Sequence, residues 1–249
     1  YMENLEKKYN EINIPIWNEH LRNMEKELEW YTPNIKSGTT HYAMTLEPRH
    51  HEDLYITMKT CMYYLNETDS NIKWGLQIFC GCDNHEHIKD MVKDWGEVIV
   101  INLEMRSLTK IEYNVLFRDV EFWKTVKGDK VFTFQLDSIL LRSGIDEFLD
   151  YDYIGAPWRK PKEGSYVGNG GLSLRTRNVM LEISVTNKIK EVIWEDIYFV
   201  KYLKGRGVAD IETAKRFSME DVYSPNPLGV HYPIKYIEPE LLKKVLFKK

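Results

Sequence analysis

Two neighbouring carboxylates, Glu195 and Asp196, open the apolar run WEDIYFVKYL directly after Trp194. Acids in a first helical turn complement the helix dipole, which alone accounts for their type. The same pair beside an aromatic ring can also supply a general base or hold a cation's water shell. Asp137 poses a parallel choice at the end of the apolar stretch FTFQLD. With Ser138 beside it, it either caps a following helix or binds a ligand. His231 stands between Gly229 and Pro233 in an irregular stretch, and serves equally as a structural hydrogen-bonder or a metal ligand. Lys235 carries a point charge suited to phosphate.

The stretch YVGNGGLSLRT (166–176) sets Gly168, Gly170 and Gly171 around Asn169, just before an alternating run. Glycine weakens a strand, so this density marks a turn, a bulge, or a place where backbone meets a ligand closely. Cys80-x-Cys82 followed by His85-x-His87 has the residue types of a zinc site. Its spacing is too compressed for ligand pairs drawn from separate segments, and a turn entering a helix explains it as well. The chain has no G-x-x-x-x-G-K-[ST], no G-x-G-x-x-G after its first strand and no G-x-S-x-G. The simplest ATPase, dehydrogenase and hydrolase readings fall away.

Hydrophobic periodicity shows what must position these groups. Residues 3–29 read as a charged amphipathic helix broken near Pro15. Strand-like runs at 42–48, 74–81, 97–103 and within 130–140 alternate with helical patterns over 51–66, 85–94 and 109–127. The alternation predicts the α/β class: three α/β/α layers with a mainly parallel central sheet. Ligands bind at the carboxyl ends of such strands. That selects Glu47-Pro48-Arg49, Cys80-Gly81-Cys82-Asp83 and Gln135-Leu136-Asp137. The second half, with a helix near 190–204, reads as a partly antiparallel continuation around the same site, and no linker marks a second domain.

The bulk properties narrow the classes. A net charge of −4 argues against a nucleic-acid partner, which needs a concentrated basic surface. The cluster Lys243, Lys244, Lys248 and Lys249 reads as a solvated helix face. No apolar run approaches the ~20 residues of a membrane span, and the opening residues lack a signal-peptide core. Starting at Tyr1, the chain reads as a fragment or as carrying a tag remnant. Three cysteines do not suggest a disulfide scaffold, which favours a cytoplasm-like setting. Asn66-Glu67-Thr68 matches a glycosylation acceptor, a pattern common by chance. Abundant Asn, Ile, Lys and Tyr suit an AT-rich genome, as of a large virus or certain bacteria, so the host cytoplasm is the companion location.

The motifs YNVLFRDVEFW, FTFQLDSILL, YDYIGAPW, VGNGGLSLRT, WEDIYF, FSME and PLGVHYP occur in one order. Together they resemble a family of nucleotide-sugar glycosyltransferases with the A-type, Rossmann-like fold, with members in bacteria, eukaryotes and large viruses. The resemblance runs from about residue 42 to 236. It implies a transferase domain over 41–237, an N-terminal helical extension (1–40) and a C-terminal helical tail (238–249). It implies a nucleotide-sugar donor, with UDP favoured, a glycan or protein hydroxyl acceptor, and a divalent metal, manganese or else magnesium. Such enzymes hold the metal with Asp-x-Asp; here the tripeptide is Gln135-Leu136-Asp137, so the first acid is missing. The resemblance makes Asp137 and His231 the metal ligands, and puts Gln135, Arg49, Tyr113, Asn114 and Lys235 near the nucleotide. Asn169, Gly170, Gly171 and Trp158 fall at the sugar and acceptor. Asp196 becomes the base of an inverting transfer, with Glu195 positioning it or the acceptor. Two further readings stand beside this one. A glycan-binding module on a degenerate transferase fold suits the incomplete acid pair. A nucleotidyltransferase shares the layered plan, but its usual glycine-rich loop is missing from LEPRHHEDL.

Overall fold

The computed structural model describes residues 2–66, 72–189, 191 and 193–248. Glu67 and Thr68 of the glycosylation pattern lie outside the described residues.

A six-stranded sheet forms the middle layer: β1 (His41–Glu47), β2 (Trp74–Cys80), β3 (Ile99–Asn102), β4 (Lys130–Phe134), β6 (Tyr153–Lys162) and β7 (Ser165–Thr176). Their order is β3-β2-β1-β4-β7-β6. The first four strands run parallel, while β7 is antiparallel to β4 and β6 to β7. The parallel part has the 3-2-1-4 order of doubly wound sheets, with its switch between β1 and β4. Alternate side chains feed two cores. Leu76, Ile78, Phe132, Phe134, Leu172 and Leu174 face one layer, and Phe79, Val131 and Tyr153 face the other. With both faces covered, the strands read as continuous apolar runs.

The first layer holds α2 (Leu54–Asn66), α3 (His85–Met91) and α8 (Ile211–Phe217); the second holds α4 (Lys110–Leu116), α5 (Val120–Thr125), α6 (Arg177–Thr186) and α7 (Glu195–Leu203). The single helix expected over 109–127 is two. Thr109 and Glu112 form a capping box on α4, and the Asp119 carboxylate caps α5 through Glu121 and Phe122 N–H. Asp119 thereby restarts the chain at a new angle. The apolar stretch 130–140 also divides. Residues Ser138–Leu140 form β5 of a small second sheet, β5-β9-β8, with β8 (Ser218–Met219) and β9 (Gly229–His231). Asp137 therefore precedes a strand, which removes the helix-capping reading of it.

The break expected at Pro15 does not occur: α1 runs from Met2 to Glu27. Packing overrides the proline's missing donor. Ile16, Trp17, Leu21 and Met24 of α1 share a core with α9 (Pro239–Leu246) and with Ile139 and Val230 of the small sheet. Buried Asn13 donates to the carbonyls of Ile234 and Ile237 at 2.9 and 2.8 Å. Lys243 and Lys244 of α9 are exposed, as expected of a solvated face. No described helix is long and apolar enough to cross a membrane. Asn13→Ala leaves two carbonyls short of a donor and should cost about 1–3 kcal/mol in urea unfolding; an unchanged midpoint would show that α1 is not fastened there.

Candidate active site

The glycine stretch is a bulge. Pairing of β6 with β7 jumps from Gly155↔Ser173 to Ala156↔Asn169, so Gly170, Gly171 and Leu172 have no partner on β6. The bulge aims two neighbouring glycines at different structures. A Cβ on Gly170 would stand 2.2 Å from Glu195 Oε1; one on Gly171 would stand 2.1 Å from His231 Nε2. Both gaps are far below contact distance, so the glycines are required by the chain's own side chains. The Asn169 side chain accepts from Gly171 N–H at 3.1 Å and braces the turn.

On the Gly171 side, Ser138 pairs with His231 and Tyr232 N–H bonds the Asp137 carbonyl at 2.9 Å. His231 thereby meets Asp137 at the carboxyl end of β4. Its Nε2 lies 3.4 Å from Asp137 Oδ1 and 3.1 Å from Gln135 Oε1. Its Nδ1 lies 3.4 Å from Glu220 Oε2. Burial opposes a charge on the ring, but Glu220 and Asp137 outweigh it and push its pKa up to about 10. Asp137 is half-exposed. Burial raises its pKa, but His231 prevails and holds it below the usual carboxylate value.

Gln135 links the two sides: its amide nitrogen donates to the Tyr113 hydroxyl at 2.9 Å. Tyr113 stacks on Phe117 at 4.5 Å, and its phenol is driven up by burial and by Glu195. Asn114 receives the Glu195 N–H at 2.5 Å and so caps α7, whose own N-cap residue, Trp194, makes no such bond.

On the Gly170 side stands an ion pair out of contact with solvent. Arg175 donates to Glu195 through Nη1 at 2.6 Å and Nη2 at 2.8 Å. It is fully buried, and Glu195 is 4% exposed. Its Nε bonds Ser173 Oγ at 2.9 Å, and the guanidinium lies over the rings of Tyr153, Phe117 and Phe199. Burial disfavours its charge, but Glu195 more than restores it.

Asp196 is the next residue, only partly buried, its Oδ1 accepting Ile197 N–H at 2.7 Å. Burial, then the Glu195 charge, raise its carboxyl to about 7 against the opposing bonds and Arg175. A carboxylate poised there at neutral pH has the proton affinity of a general base.

Other residues named from sequence already have partners within the chain. Arg49 forms a bidentate pair with Glu47 at the end of β1, both bonds 2.8 Å. Lys235 meets Glu6 of α1 at 3.4 Å and lies over Tyr236. Trp158 is 8% exposed, its ring beneath Gly168 and beside the core. Cys80 points inward, its thiol pushed up to about 11 by burial, while Cys82 points out. The zinc reading fails on that alternation. Arg175 and Glu220 were not singled out in the sequence. The one available signal was an arginine inside a buried alternating strand, which needs a partner.

Among the described residues no three His, Cys, Asp or Glu side chains converge on one point as metal ligands. A smaller donor set does fit a hard divalent cation. Asp137 Oδ1 and Gln135 Oε1 lie 3.4 and 3.1 Å from His231 Nε2, and Glu220 lies 3.4 Å from the far ring nitrogen, where the carboxylate partner of a ligating histidine would stand. The cation would displace the Nε2 proton.

Residues 97–231, over half of the chain, match the family described as protein of unknown function DUF5672, and the chain belongs to it. No curated protein matches. Two solved structures of the glycosyltransferase GlyE from Streptococcus pneumoniae TIGR4 are similar at 14% identity, with TM-scores of 0.49 for the apo form and 0.48. The matches cover 78% of this chain and 54% and 55% of those chains. The chain thus spans about half the length of the structures it matches.

Arg175→Met strands the Glu195 charge and should cost about 3–5 kcal/mol in urea unfolding, and Arg175→Met/Glu195→Leu should recover most of it. A single variant as stable as wild type would remove the pair from the framework. Asp196 gives a second test. Its folded pKa, about 7, lies above the ordinary 3.8. It therefore favours folding below about pH 4, and that contribution is lost as pH rises through 7. The melting temperature of Asp196→Asn minus that of wild type should grow from about pH 4 to about pH 8; a constant difference would mean an unshifted carboxyl.

Proposed function

We propose that this chain transfers a glycosyl group from a nucleotide-diphosphate sugar, with UDP favoured, to a hydroxyl acceptor with inversion. The observation that carries this reading is Asp196: a partly exposed carboxyl with a pKa of about 7, fixed beside a buried Arg175–Glu195 pair at the carboxyl end of the sheet. Such a group takes the proton of the acceptor hydroxyl as its oxygen bonds the anomeric carbon. The bond from that carbon to the diphosphate oxygen breaks, and the nucleoside diphosphate leaves with the electron pair. Glu195 stays locked by Arg175 and does not exchange the proton; its charge helps keep its neighbour basic.

Asp137 and His231, with the Gln135 amide oxygen, would hold a divalent cation, manganese or magnesium. When bound, such an ion neutralises charge developing on a leaving diphosphate. The half-exposed Asp137 is suited to meet it, and Glu220 keeps the His231 ring oriented. The seven motifs shared with nucleotide-sugar transferases support the same reading. Arg49 and Lys235 are each already paired and would need to exchange partners to touch phosphate.

Asp196→Asn should leave UDP affinity unchanged and lower kcat for transfer by about 10²–10⁴-fold, because it keeps the shape and removes the base. The acidic limb near pH 7 should vanish from its rate profile. Near-normal turnover in that variant would sink the assignment.

A further inference from the structure

Four side chains that the candidate active site leaves unused line an open cleft of about 400 Å³: His50, His51 and Glu52 from the loop between β1 and α2, and His87 from α3. All four are exposed. The compressed Cys-x-Cys, His-x-His motif is not itself a site, because Cys80 is buried away from it. Its last histidine nevertheless meets a residue from outside the motif. The His87 ring lies 5.1 Å from the His50 ring, centroid to centroid, tilted by 51°. Two imidazoles on one tetrahedral zinc ion, each bound through nitrogen at about 2.0–2.1 Å, place their ring centres roughly 5 Å apart.

His50 is prepared as a ligand. Its Nε2 lies 2.7 Å from the Asp83 carbonyl. A carbonyl only accepts, so Nε2 carries the hydrogen and Nδ1 keeps its lone pair. Holding the far N–H on a backbone carbonyl is how a ligating histidine is fixed in tautomer and orientation. His51 differs: its Nδ1 accepts Asp53 N–H at 3.2 Å, which spends the one lone pair of a neutral ring. Glu52 adds a carboxylate to the lining, and Arg49 beside His50 is already neutralised by Glu47, so the cleft favours a cation. Imidazole nitrogen selects zinc, nickel and copper, whereas the oxygen-rich set at Asp137 and Gln135 suits manganese or magnesium. We propose that His50 and His87 form a two-histidine site for zinc, completed by water, which ties the loop after β1 to α3. Two protein nitrogens are fewer than the four ligands of a closed structural centre, so the ion exchanges with solvent.

The test titrates the full chain, labelled with ¹⁵N-histidine, with zinc chloride alone. The ring resonances of His50 and His87 should move saturably and with one midpoint, while those of His51 stay. Magnesium chloride should not reproduce the movement. His50→Ala and His87→Ala, both at exposed positions, should each weaken zinc binding at the remaining ring about tenfold or more, with an unchanged circular dichroism spectrum. Asp137→Asn should leave the movement intact, which separates this site from the cation position of the transferase reading. No saturable movement of the two rings overturns the proposal, as does equal movement of His51, affinity untouched by either alanine variant, or loss of the movement in Asp137→Asn.

Discussion

A guanidinium shut off from water must keep a carboxylate against it, and this constraint organises the second half of the molecule. Arg175 leaves β7 into the layer of α4 to α7, where it meets Glu195 at the first turn of α7. Desolvating two charges is costly, so the pair survives only with close geometry and added bonds. Ser173, Asn114 and the Gly170 carbonyl supply those bonds. With Glu195 fixed, Asp196 has no freedom to leave, and the neighbouring charge makes it basic. A framework interaction and a chemical property therefore have one origin.

The bulge in β7 is the second consequence. A regular strand would send Gly171 to the same face as Ser173 and Arg175. The three unpaired residues break that parity, so Gly170 abuts Glu195 while Gly171 abuts His231. Gln135, hydrogen-bonded to Tyr113 on one side and His231 on the other, then joins both halves. The glutamine is thus a bridge between the two halves. Tyr232, with a left-handed φ of 42°, marks strain beside that histidine.

Much of the layout was legible before the fold was known. The strand runs, the α2 pattern and the rule of carboxyl ends located Asp137 correctly, because buried parallel strands and local periodicity are written locally. Asp137 and His231 were both singled out, although their meeting depends on a pairing of β5 with β9 across about ninety residues. What escaped reading was non-local. Nothing in the sequence near Arg175 names Glu195, and nothing near Glu220 names His231. Lys235 looked available for phosphate because its partner, Glu6, becomes a neighbour only on folding, whereas Arg49 pairs with Glu47, two residues before it. Pro15 stays within a helix because packing from α9 and the small sheet outweighs one lost bond.

A nucleoside diphosphate bound at the end of β4 together with a cation on Asp137 and His231 would need both the metal and the Asp137 carboxylate. Calorimetric titration of UDP with and without manganese, in wild type and in Asp137→Asn, tests it most directly. Binding should need manganese and be lost in the variant while its melting temperature stays near wild type. Manganese-independent binding, or full affinity in Asp137→Asn, would contradict it.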